Sequence, residues 1–175
     1  LKIQAMNRLF LLLEFADTVK ATYYLQRALT LSEKINYSIG IANTYVHFGF
    51  YHEDKNRFSS AVESYKQALK MYEKLHYLKG MATCNNNMGL IYMNQGNYPE
   101  AIKNFQAALE LYEKLDEKKG IAITYNNIGN IHDYQGNLLQ ALSYYEKSLQ
   151  LYIILNDKKK LAACYNNIGA IQFRL

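Results

Sequence analysis

Histidine, cysteine and asparagine carry whatever site chemistry this 175-residue sequence can offer. The four histidines are His47, His52, His76 and His132. Imidazoles three or four residues apart share one face of a helix and can hold a metal together. His47 and His52 are five residues apart, and the other two are isolated. There is no G-x-S-x-G, no H-E-x-x-H and no glycine loop of the kind that cradles phosphate. The sequence therefore predicts no catalysis, no metal and no cofactor. Asparagine, by contrast, comes in pairs: Asn86–Asn87, Asn126–Asn127 and Asn166–Asn167. Each amide offers an acceptor and two donor hydrogens, which suits holding a peptide backbone better than breaking a bond. Asparagine is a mediocre helix former, so pairs of it within a helix need a reason.

Composition narrows the setting. Half of the residues are hydrophobic, 24 are aromatic (17 Tyr and 7 Phe), and only one is Pro. This is ample material for a core and excludes a disordered chain. No run of about 18 apolar residues exists to cross a membrane. The net charge of +5, from 20 basic and 15 acidic side chains, is mild. Its densest basic cluster, Lys158–Lys160, is echoed by Lys118 and Lys119 and reads as a solvated loop rim. Stacked tyrosines could bind single-stranded nucleic acid. Tyr65, Tyr72, Tyr112, Tyr145 and Tyr152, however, fall where a helix core needs them. No nucleic-acid partner is expected. Leu1 is not an initiator Met, so the sequence reads as part of a longer chain.

These residues are positioned by a repeat. Gly49, Gly89, Gly129 and Gly169 are 40 apart, as are Gly40, Gly80 and Gly120, with Lys160 in the fourth place. Ala61, Ala101 and Ala141 keep the same register. Cys84 and Cys164 then occupy one slot two periods apart. Stacked helices are ~8–10 Å apart, too far for these thiols to bridge, so both are expected to be free and buried. Free thiols favour the cytoplasm, and the periplasm stays open if the parent is a sensor kinase.

Each period holds two helices. Ala122, Tyr125, Ile128, Gly129 and His132 recur at intervals of three and four, which marks one amphipathic helix. Gly136 can take the left-handed conformation that stops it, and Asn56 replaces the glycine in an earlier copy. Asn137 is expected to cap the next helix with Gln140 three residues on, as Asn97 does with Glu100. That helix carries Ala141, Tyr145, Ser148, Leu149 and Tyr152.

The pattern Tyr125, Ile128–Gly129, His132, Gly136, Ala141, Tyr145, Ser148 resembles the tetratricopeptide repeat, as does Asn85, Met88–Gly89, Tyr92, Gly96, Ala101, Phe105, Ala108. The 40-residue period is longer than that family's usual one. It is similar to the repeats of kinesin light chains and of bacterial sensor kinases and regulators. The resemblance implies an all-α, right-handed α-solenoid of antiparallel helix pairs. One array spans 1–175: a degenerate repeat at 1–35, full repeats at 37–76, 77–116 and 117–156, and a lone first helix at 158–175. The final helix is expected to turn Leu161, Tyr165, Ile168 and Ile171 towards an absent partner and to promote self-association.

In that family the first helices line a concave surface. The resemblance then implies a ligand face of Asn43, His47, Phe50, Asn86, Asn87, Leu90, Met93, Asn94, Asn126, Asn127, Asn130, Asp133, Tyr134, Asn166 and Asn167. A protein segment or extended peptide would lie there, within the sensory or docking region of a larger bacterial signalling protein. A scaffold for stable assemblies is the alternative. Inward Glu53, Asp54 and Asp133 against a single Arg174 disfavour capture of a peptide carboxylate. Whether the Asn pairs hold a ligand or bond helix to helix stays open at this level.

Overall fold

The computed structural model describes residues 2–13 and 18–175. Among them there are nine helices and no strand: α1 (Lys2–Leu13), α2 (Thr18–Lys34), α3 (Ser38–Asp54), α4 (Phe58–Lys74), α5 (Leu78–Asn94), α6 (Tyr98–Lys114), α7 (Lys118–Tyr134), α8 (Leu138–Ile154) and α9 (Lys158–Arg174). Within the degenerate repeat expected at 1–35, residues 1 and 14–17 lie outside the described residues.

From α2 onwards every helix has 17 residues, and α2 to α8 are each stopped by the same device. Asn36, Asn56, His76, Gly96, Asp116, Gly136 and Asn156 all have positive φ, and each is 20 residues from the next. After α3, the Asn56 N–H donates to the Glu53 carbonyl at 2.9 Å and the Arg57 N–H to the His52 carbonyl at 2.8 Å. This paired closure satisfies carbonyls that a helix end would otherwise orphan. The other six turns make the same two bonds. The 40-residue period is thus two 20-residue units that share one stop signal. At the start of helices the expected caps are mixed. Asn97 accepts from the Glu100 N–H at 3.4 Å, and Asp157 accepts from the Lys160 N–H at 3.1 Å. Asn137 does not cap α8; its amide instead donates to Gln135 at 3.4 Å.

The chain forms two compact units, Leu1–Cys84 and Asn85–Leu175, with the boundary inside α5. In the first, Tyr65 and Tyr72 of α4 are buried with Ala61 and Ala68, one helical turn apart in each case. Gly49 of α3 lies under Tyr65. In the second, Ala101 and Phe105 of α6 bury against Ile128 and Ile131 of α7, and Gly89 lies under Phe105. Tyr145 and Tyr152 of α8 are likewise buried, and Tyr145 covers Gly129. A buried ring of this size is worth roughly 1.5–3 kcal/mol over leaving it exposed, so the aromatic–glycine contact is the main repeating element of the core. Cys84 and Cys164 are free and buried.

The final helix departs from expectation. Leu161 and Ile168 are half-buried and Ile171 is fully buried, because that edge of α9 packs on Tyr152, Ala141 and Tyr145 of α8. Of the four residues, only Tyr165 is exposed. The open face is instead Ala162, Tyr165, Gly169 and Phe173.

Candidate functional site

In the first unit, α3 carries Asn43, His47, Phe50 and Glu53 at helical spacing. Asn43 is partly committed, since its Oδ1 accepts the Tyr72 hydroxyl at 2.6 Å. Glu53 accepts the Tyr65 hydroxyl at 3.1 Å. Burial raises its carboxyl above the usual range, and the Tyr65 bond partly offsets this. The His47 ring sits 5.7 Å from Phe10 and 6.2 Å from Phe50, with its buried Nδ1 making no hydrogen bond. Desolvation there holds its pKa below the ordinary 6.5. Phe50 in turn meets Tyr65 edge-on at 5.9 Å. Asp54 pairs with Lys55 at 2.8 Å.

In the second unit, α7 contributes Asn126, Asn127, Asn130, Asp133 and Tyr134. Asn130 is committed like Asn43, accepting the Tyr145 hydroxyl at 2.8 Å. Asn126 accepts from the Asn167 amide of α9 at 3.2 Å, and Arg174 forms an ion pair with Asp133. Two polar links thus close the α7 and α9 faces on each other. Asn166 beside them is exposed.

The arrangement differs one period earlier. The equivalents of Asn126 and Asn167 are Asn86 and Asn127, but Asn86 Oδ1 and Asn127 Nδ2 make no hydrogen bond, and neither does Asn87 Nδ2. Asn127 is only 8% exposed. A buried amide hydrogen or oxygen left without a partner costs about 1–3 kcal/mol, so these atoms stand in need of one. Beside them Leu90 and Met93 are half-buried on the Phe105–Ile128–Ile131 cluster. Tyr134, 63% exposed, stacks on Tyr98 at 6.3 Å, and Asn94 is exposed. The result is a small apolar floor with three unsatisfied amide atoms.

Sequence reasoning passed over Tyr98 and Phe173. The repeat could have supplied Phe173, which lies 40 residues after Asp133 and is 93% exposed. Tyr98 heads a second helix, where no family pattern directed attention. The histidine slot behaves as a packing slot: His132 stacks on Tyr144 at 5.3 Å and His52 on Phe48 at 6.5 Å. Among the described residues, no group of three or more His, Cys, Asp or Glu side chains could hold a metal. No described helix is long and apolar enough to cross a membrane.

Helix pairs of constant length, stacked through an aromatic on a glycine, define an all-α solenoid of helical repeats. Residues 80–154 and 120–175 match the tetratricopeptide repeat, and residues 41–76 match it separately. The chain belongs to the tetratricopeptide repeat family. No curated protein matches the sequence. Solved structures share the fold. Aspartyl phosphate phosphatase F from Bacillus subtilis is 19% identical with a TM-score of 0.91, over 97% of this chain and 45% of its own. A signal transduction ATPase with a tetratricopeptide repeat sensor from Pyrococcus horikoshii is 20% identical with a TM-score of 0.86, over 97% and 27%. The apo form of RapI is 14% identical with a TM-score of 0.86, over 99% and 64%. The chain therefore spans less than two thirds of the length of each of these three.

Proposed function

We propose that this chain is a non-catalytic protein-binding module that holds an extended segment of a partner on the first-helix face of its second unit. The observation that carries this reading is the set of buried, unbonded amide atoms Asn86 Oδ1, Asn87 Nδ2 and Asn127 Nδ2. A peptide group presents one N–H and one C=O, so once these amides rotate out of their buried positions a backbone laid beside them would give to Asn86 and accept from Asn127 and Asn87. Leu90 and Met93 would take an apolar side chain of the same segment, with Tyr134 at the edge. Each hydrogen bond adds on the order of 1 kcal/mol, whereas a micromolar complex needs about 8. The amides therefore set the position of the segment and the apolar floor supplies most of the affinity.

The inward charges suit no anionic ligand. Asp133 is matched by Arg174, and Glu53 in the other unit is already bonded to Tyr65. An uncharged or weakly basic segment fits best. The ATPase with which the chain shares its fold is named for a repeat sensor. That supports placing the module in a signalling protein, as its sensory or docking part.

The experiment is a double variant, Asn87→Ala with Asn127→Ala, measured for binding of a selected peptide and for thermal stability. Affinity should drop roughly tenfold or more, as two bonds of ~1 kcal/mol each imply, with Tm held or raised. Lost stability with retained affinity would sink the proposal.

A further inference from the structure

Tyr134, at the end of α7, leaves 63% of its surface in solvent. Asn94 and Asp54 hold its register one and two periods earlier, and both are exposed although a full repeat follows each. The opening at this position therefore belongs to the repeat itself, and the repeat folds without a ring there. One face of Tyr134 stacks, offset, on Tyr98 of α6 at 6.3 Å and 24°. Tyr98 in turn packs on the Phe105–Ile128–Ile131 cluster that also carries Leu90 and Met93. The two rings thus form a platform continuous with the apolar floor, and the other face of Tyr134 is open. The residues flanking it bring no unmatched charge, since Asp133 is paired with Arg174 and Gln135 is neutral. A stiff aromatic with one face already supported is suited to hold a second, uncharged ring.

The asparagines narrow the choice of that ring. Of the three buried, unbonded amide atoms, Asn87 Nδ2 and Asn127 Nδ2 are donors and Asn86 Oδ1 is an acceptor. An ordinary residue brings one N–H for each C=O, whereas proline brings only the carbonyl. A segment containing proline therefore supplies the excess of acceptors that this set of atoms asks for. Spacing agrees. Tyr134 lies seven residues beyond Asn127, about 10 Å at the helical rise. A polyproline-like strand advances about 3.1 Å per residue and returns to the same face every third residue. About three residues of it span the distance from the amides to the platform.

We propose that the partner segment carries a proline whose ring lies on the open face of Tyr134, about three residues from the peptide group held by Asn127. This rests on the groove reading above and adds to it the chemistry of the ligand. Such a segment is already extended before it binds, so it loses less freedom in the groove than a flexible one.

Peptides selected on the intact chain from a random library test the proposal. They should be enriched in proline. Replacing that proline by alanine in a selected peptide should weaken binding roughly threefold or more, the scale of a ring contact. Moving it along by one residue should cost as much. Tyr134→Ala should weaken the parent peptide by a similar factor, leave Tm unchanged because the ring is exposed, and make the loss of the proline indifferent. Tyr134→Phe should bind as the unaltered chain does. Selected peptides without proline, peptides with an aromatic residue in its place, or a full proline effect in Tyr134→Ala would overturn the proposal. If such peptides still lose affinity in the Asn87→Ala, Asn127→Ala double variant, the proline alone falls and the groove reading stands. A library that yields no binder, or binders blind to the double variant, overturns both.

Discussion

The ring of Tyr145 lies so close over Gly129 that a Cβ built on the glycine would sit 2.7 Å from Cε1 and 2.8 Å from Cδ1. Any larger residue must displace a buried ring held by its hydroxyl to Asn130. Gly129→Leu should therefore cost ~1–3 kcal/mol. Gly169, in the same register but open, should respond with the opposite sign. Gly169→Ala should add about 0.5–1 kcal/mol, because Ala is the better helix former. Denaturant titrations of both variants check the pair, and a shared sign would refute the account of packing.

The period and the glycine slots were legible in the sequence because an aromatic–glycine contact requires the same two residue types in every copy. The stop signals were only half legible. Gly96, Gly136 and Asn56 announce a left-handed turn, whereas His76 and Asp116 do the same work with types that are enriched there but equally common elsewhere. Only the 20-residue spacing gives them away. The α9 stripe was misassigned because helical spacing alone does not say which face meets the preceding helix. Ile171 shares the register of Ile131, buried against Phe105 of α6, and the comparison would have placed it inward. The open state of Asn86 and Asn127 had no signal at all, since the closed pair Asn126–Asn167 has the same residue types.

Burial pushes the Cys84 thiol up to about 12, and Cys164 is raised for the same reason. The thiolate is the reactive species. Neither cysteine should react with a chromogenic disulfide reagent at about pH 8 faster than the helices open, and two equivalents should react at once in denaturant. Rapid native-state labelling would show that α5 or α9 is less well packed than described.

Three histidines have depressed pKa values: His47, His52 and His132, each chiefly by burial. The folded state then binds fewer protons than the unfolded chain below the ordinary value of 6.5, so stability rises with pH across this window and falls as acid is added. Glu53, raised by burial, acts in the opposite sense over a window that runs upward from 4.5. Melting temperature should therefore decline as the pH falls from about 7 to 5.5. His47, the most enclosed of the three, should dominate. His47→Asn, which installs the residue found at 87, 127 and 167, should flatten the decline. An unchanged slope in that variant would assign the acid sensitivity elsewhere.

The two kinds of asparagine pair in the second unit should separate under mutation. Asn167 donates to Asn126 at 3.2 Å between α9 and α7, so Asn167→Ala removes a bond and leaves the Asn126 carbonyl without its donor. A loss of about 0.5–1.5 kcal/mol follows, with little effect on peptide affinity. Asn127→Ala removes a buried amide whose Nδ2 makes no hydrogen bond and substitutes a stronger helix former. The free module should keep or gain stability, while a bound peptide should be held less tightly by roughly fivefold or more, the equivalent of one ~1 kcal/mol bond. Calorimetric melting and peptide titration on the two single variants give four numbers with opposite expected patterns. If Asn127→Ala destabilises the module as Asn167→Ala does, the open pair is a helix-to-helix contact and the asparagine pairs do not hold a ligand.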